Sequence, residues 1–218
     1  MIVVLPEDHD SGVARRLVTH ALQLVADRVE THRLAFAEPA PGVARLFVGR
    51  AWARRRHDRT TLVQAIATEL ALGRLVIVHF DADCAWPDPS KNESEFETRV
   101  IVPVSRHSSA GGLVARLVAM VPYPCIEAWT YRHVDRATAL CRERGLPTEL
   151  HQAFAADPTS LDRTLGLEGA SPLGKAFNRE LVRSGWPRNE ANADGQSFAA
   201  FVRALREVPR LLADLPTL

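Results

Sequence analysis

Acidic side chains recur in this sequence where buried strands should end. Glu7, Asp8 and Asp10 follow the apolar run Ile2 to Leu5, Asp81 and Asp83 follow Leu75 to Phe80, and Glu127 follows Leu113 to Val121 and opens a helical pattern. In an open α/β sheet the carboxyl ends of parallel strands share one edge, and ligands bind there. On an ideal strand an Asp-x-Asp pair faces one side, where two carboxylates could share a hard cation. Mg2+ takes oxygen ligands octahedrally and keeps waters and substrate phosphate in its remaining positions. Carboxylates converging on one edge repel each other unless a cation neutralises them. Each piece also has a plainer use. Carboxylates after strands commonly cap helices, which suits Asp10, and Glu127 in a first helical turn complements the helix dipole. A lone Asp-x-Asp is common by chance.

The positioning elements read as follows. Ile2 to Leu5 is a short buried strand ended by Pro6. Asp10 or Ser11 caps a helix to about Val29, with Val13, Leu17, Ala21, Leu24 and Val25 on one face. A weaker strand signal covers Ala44 to Val48, and Thr60 or Thr61 opens a helix carrying Leu62, Ile66 and Leu70, stopped by Gly73. Leu75 to Phe80 is the strongest strand, a continuous apolar run of the buried parallel type. Ala85 to Glu97 is polar with two prolines and reads as a loop with a helical turn. Leu113 to Val121 runs from helix into strand, Cys125 to Arg144 is helical and closed by Gly145, and short helices follow Pro147. Gln196 to Leu212 is a final amphipathic helix with Phe198, Phe201, Val202, Leu205 and Leu212 on one side. Alternating strands and helices predict an α/β fold: a mainly parallel central sheet flanked by helices over residues 1–146, with a small helical C-terminal extension, 147–218, packed on it.

Composition removes several function classes. The 218 residues carry 27 Lys or Arg against 26 Asp or Glu, a net charge of +1, so there is no overall basic footprint of a nucleic-acid binder, although a local stripe can hide in a neutral total. At 46% hydrophobic the chain is too apolar for disorder as its main state. No apolar stretch approaches the ~20 residues of a membrane span. The start, MIVVLPEDHD, lacks the basic segment of a signal peptide, which predicts a cytoplasmic protein. Three cysteines are too few for a disulfide framework, and the eight His show no zinc spacing. Arg54, Arg55 and Arg56, with His57 and Arg59, form the densest basic run. Such a run is either a solvated face or a contact for a phosphate backbone. Trp52 beside it, Cys84 and Tyr131 read as packed side chains.

In the order "IVVLPEDHDSG", "LVIVHFDADC", "VPYPCIEAW", the chain resembles the Toprim (topoisomerase-primase) domain, more narrowly the small stand-alone Toprim proteins related to overcoming-lysogenization-defect nucleases. The family's Glu after its first strand matches Glu7, and its Asp-x-Asp matches Asp81 and Asp83. Glu127 in "IEAW" is similar to the extra acidic motif of the stand-alone group, and "SPLGKAF" and "GQSFAAFVRAL" resemble that group's C-terminal part. The resemblance implies metal-assisted phosphodiester hydrolysis with Mg2+ or Mn2+, one ion held by Glu7, Asp81 and Asp83 and a second supported by Asp10 and Glu127. Lys175 matches the basic residue that assists the phosphate in the nuclease branch; a solvated lysine is the other reading. Asp8 departs from the family, where Gly follows the Glu, and adds a carboxylate beside the implied ion. Also implied are nucleic acid, DNA first, as substrate, a separate ATPase as partner, and defence against phage or foreign DNA. Only Tyr123 and Tyr131 are present, with no room for a topoisomerase tyrosine domain, so water is the expected nucleophile.

Two further readings compete. In nucleotide-sugar glycosyltransferases an Asp-x-Asp after a hydrophobic strand binds Mn2+ and a diphosphate, but nothing here plainly matches their nucleotide-binding segment. The second is a non-catalytic Toprim-like module that binds a partner or nucleotide. Glu7, Asp81, Asp83 and Glu127 standing together weigh against a dead site.

Overall fold

A computed structural model describes residues 1–7, 11–26, 34–39, 42–43, 46, 50–164, 167, 174–183, 185–194, 196–208 and 211. Among these residues four parallel strands form the sheet: β1 (Ile2–Pro6), β2 (Phe36–Ala37), β3 (Leu75–His79) and β4 (Leu117–Met120), in the order β2-β1-β3-β4. Ile2 pairs with Leu75 and Phe36, and Val76 with Leu117, in register. The fold is α/β with an all-parallel sheet, as the sequence predicts.

Every residue of β1 and β3 is buried, so both runs are apolar without alternation save for His79 at the end of β3. The strand period of two still sorts them. Ile2, Val4, Leu75, Ile77, Val118 and Met120 face one core, shared with Leu17, Trp129, Phe177 and Phe198. Val3, Leu5, Val76, Val78, Phe80 and Leu117 face the other, with Trp52, Leu62, Ile66, Leu70 and Phe96. Helices therefore cover both faces of the sheet.

In chain order the helices are α1 (Ser11–Val25), α2 (Ala51–Arg54), α3 (Arg56–Ala71), α4 (Lys91–Phe96), α5 (Val102–Ser105), α6 (Ile126–Thr130), α7 (Val134–Glu143), α8 (Glu149–Ala156), α9 (Gly174–Leu181), α10 (Arg188–Asp194) and α11 (Gln196–Arg206). α1 buries Val13, Leu17, Val18 and Ala21, as its spacing predicts, and α11 packs along it through the same core.

Four readings shift. The predicted strand at 44–48 falls almost wholly outside the described residues; the strand observed beside β1 is the two-residue β2, too short to leave a periodic signal. α3 begins at Arg56, before Thr60, behind an extended Arg55 that supplies no side-chain cap. It ends where Gly73 adopts φ +72, a conformation that favours glycine. The Ala85 to Glu97 loop holds α4, which continues through a π-helical turn over Glu97–Ile101 into α5. The predicted helix Cys125 to Arg144 divides into α6 and α7, where His133 leaves helical geometry and Arg132 turns inward to buried Asp162.

Candidate functional site

The strand order reverses direction between β1 and β3, because β2 lies outside β1 on one side and β4 outside β3 on the other. In α/β sheets the crevice beyond the carboxyl ends of strands at such a switch point is where ligands bind. Glu7 leaves the end of β1 there, and Asp81 follows the end of β3. Glu7 Oε2 accepts the Asp81 backbone N–H at 2.8 Å, which ties the two strand ends together.

Asp81 and Asp83 do not lie side by side on a strand. The ladder between their segment and the chain after β4 continues past the strands, through Phe80 N–H to Met120 O (3.3 Å), Ala82 N–H to Pro122 O (3.1 Å) and Asp83 N–H to Pro124 O (2.8 Å). Asp83 itself adopts φ 56, the left-handed region that Asp tolerates better than most residues. The two carboxylates then diverge. Asp81 Oδ1 accepts the Ile126 N–H at 2.9 Å, at the start of α6, and lies 3.4 Å from Nε2 of buried His79. Asp83 Oδ2 accepts from Arg50 Nη2 at 2.5 Å and from Asn92 Nδ2 at 3.0 Å. Asn92 Nδ2 also reaches the Asp81 carbonyl at 3.1 Å, so α4 braces the whole Asp81–Asp83 turn.

Arg50 closes the site from the far side. Its Nε donates to Glu7 Oε1 at 2.8 Å while Nη2 holds Asp83, so one guanidinium spans the carboxylates after two neighbouring strands. Arg50 has φ 56; among the described residues it and Asp83 are the non-glycine residues with positive φ. Backbone strain held by surrounding contacts is typical of functional sites. Burial of Arg50 works against its charge, but Asp83 and Glu7 more than offset this and hold the guanidinium above its ordinary value. Burial pushes the Glu7 carboxyl above its ordinary value, against the opposing Asp81 N–H and Arg50.

Glu127 enters from α6. Burial raises its carboxyl first, and the charge of Asp81 raises it further. Its Oε1 accepts from Asn178 Nδ2 at 3.0 Å on α9, and the Cys125 thiol beside it is pushed up, chiefly by burial. Glu7, Asp81, Asp83 and Glu127 are thus brought to one edge from three strand ends. Lys175 lies three residues before Asn178 on α9, which places its backbone one turn from Glu127's partner; its side chain lies outside the described residues, as do Asp8 and Asp10. Arg54, Arg55 and Arg56 are exposed where α2 meets α3, one turn along the chain from Arg50. Trp52 and Tyr131 are core residues, packed edge-on against Phe96 and Phe177.

The four carboxylates are hard oxygen donors of the kind Mg2+ and Mn2+ take. The position between Glu7 and Asp83 holds a cation, the Arg50 guanidinium, so the donor set fits a divalent ion in kind but is not arranged around one. Among the described residues no group of three or more His, Cys, Asp or Glu is disposed to hold a metal ion, because Arg50 draws Glu7 and Asp83 to itself while Asp81 turns toward α6.

Sequence reasoning missed Arg50, Asn92, His79 and Asn178. Asn92 was within reach: Ser90 to Glu93 is a Ser-x-x-Glu capping pattern, and Ser90 Oγ accepts the Glu93 N–H at 2.8 Å. Arg50 has no local signal, being one of many arginines.

No protein-family model, no curated protein and no solved structure matches this chain. No described helix is long and apolar enough to cross a membrane.

Proposed function

We propose that the protein is a divalent-metal-dependent phosphodiesterase that hydrolyses nucleic acid. The observation that carries the reading is the meeting of Glu7, Asp81, Asp83 and Glu127 at the switch-point edge, with a cation bridging two of them. Glu7, Asp81 and Asp83 would hold one Mg2+ or Mn2+, and Glu127, with Asp10, would support a second. A bound ion at such a site supplies activated water and stabilises a leaving oxygen. The chain's own residues do the rest. Asn92 and the Ile126 N–H fix the Asp81–Asp83 turn, and Asn178 orients Glu127. Lys175, near the start of α9, would balance charge on the phosphoryl group. The exposed Arg54, Arg55 and Arg56 offer a phosphate-backbone contact beside Arg50.

Labelled single- and double-stranded DNA and RNA, incubated with the full chain and Mn2+ or Mg2+, test the reading. Cleavage that stops on chelation supports it, and intact nucleic acid in every condition, with and without a candidate ATPase partner, counts against it. A role in defence against phage or foreign DNA rests on the resemblance alone. A strain carrying the gene that restricts no phage in a broad panel would remove that part.

A further inference from the structure

Among the described residues β4 is an edge strand, with no strand paired to its outer side. In a parallel ladder successive residues turn their N–H and C=O alternately to the two sides. The Met120 carbonyl accepts from Phe80, just past the end of β3, so the N–H and C=O of Ala119 point away from β3. A cavity of about 510 Å3 runs along that edge, within the range of ligand pockets. Ala115, Ala119, Ala200 and Ala204 line it, so small side chains leave the backbone of β4 within reach.

We infer that this edge is a docking site for an extended, basic peptide segment of another protein, which adds as a fifth strand. An open strand edge satisfies the hydrogen-bonding groups of an incoming strand, and flanking side chains choose its sequence. Here the charged liners are Glu93 and Glu207, at opposite ends. Glu93 accepts from the Tyr123 hydroxyl, and Tyr123 N–H reaches Ser197 Oγ (3.4 Å) at the start of α11. Glu207 lies just past the end of α11. At ~1.5 Å per helical residue Ser197, beside the Tyr123 that holds Glu93, and Glu207 stand ~15 Å apart. That is the reach of four to five residues of strand at ~3.3 Å each. Two basic residues four apart, which face the same side of a strand, meet both carboxylates. A second copy of this chain fits worse. Antiparallel pairing of β4 with itself would set Glu93 of one copy against Glu207 of the other.

The probe is a fluorescein-labelled Lys-Val-Thr-Val-Lys peptide and its Glu-Val-Thr-Val-Glu counterpart, titrated by anisotropy with the full chain. Saturable binding of the basic peptide alone is expected. Glu207→Lys should weaken it by about threefold or more, since it replaces an exposed attraction with a repulsion. Ala119→Pro removes an outward N–H while sparing the bonds to β3, and should abolish binding. No saturable binding, equal affinity for both peptides, or indifference to Glu207→Lys would overturn the inference. A wild-type dimer that Ala119→Pro turns into a monomer would overturn it in favour of self-pairing.

Discussion

Arg50→Ala removes the cation that bridges β1 and β3. Two charge-assisted hydrogen bonds go with it, to Glu7 at 2.8 Å and to Asp83 at 2.5 Å. The Glu7 carboxylate is 16% exposed, so its bond counts near the full ~1.5–3 kcal/mol of such contacts. Asp83 is 58% exposed, and solvent screening cuts its share to about 0.5 kcal/mol. The sum is a loss of ~2–3.5 kcal/mol, or about 4–14 °C in Tm for a chain of this size. Ala and Arg bear similar strain at φ 56, whereas Arg50→Gly relieves it, so Gly should unfold at a higher temperature than Ala. Because Arg50 occupies the place where the ion is proposed, Mn2+ should raise the Tm of Arg50→Ala more than that of wild type, by mass action on a site freed of its competitor. Differential scanning fluorimetry with chelator and with Mn2+ reads all three terms. An Arg50→Ala Tm equal to wild type would refute the bridging energetics. A smaller Mn2+ response in Arg50→Ala than in wild type would refute the shared position.

Other perturbations follow from the same contacts. Glu127 and Glu7 have raised carboxyls, so the folded state holds protons more tightly than the unfolded chain, and their contribution to stability is lost as pH rises past the ordinary value of 4.5. Glu127→Gln, which can still accept from Asn178, should therefore melt above wild type at neutral pH in chelator and match it below pH 4.5; a Tm gap independent of pH would contradict this. Asp162 is buried, accepts from Arg132 (2.7 Å), the Gln196 N–H (2.9 Å) and Ser197 Oγ (2.9 Å), and links α11 to the core. Asp162→Ala should cost about 3–5 kcal/mol in chemical denaturation, because it leaves a buried guanidinium unpaired. Leu17→Ala, in the core of α1, should cost about 2–5 kcal/mol in the same assay.

The fold was legible wherever burial writes a long signal. The runs Ile2 to Leu5 and Leu75 to Phe80, and the spacing of Val13, Leu17 and Ala21, announce β1, β3 and α1 because whole faces are removed from water. β2 was not legible, since two half-buried residues carry no period. The Glu7, Asp81, Asp83 and Glu127 set was legible because strand ends locate it. Its partners were not. Arg50, Asn92 and Asn178 are ordinary polar residues made relevant by contacts 9 to 51 positions away in the chain. The divergence of Asp81 and Asp83 also escaped the reading, because strand periodicity stops where the strand does and Asp83 turns to φ 56.

The central claim is that this carboxylate edge binds a divalent cation and uses it to cut nucleic acid. Calorimetric titration of Mn2+ into wild type and into Asp81→Asn/Asp83→Asn tests it most directly, with cleavage of DNA and RNA followed on the same samples. Asn keeps the shape of both side chains and the αL tolerance that position 83 requires. The account predicts saturable Mn2+ binding in wild type and loss of both binding and cleavage in the double variant. No Mn2+ binding by wild type, or cleavage that survives in the double variant, would contradict it.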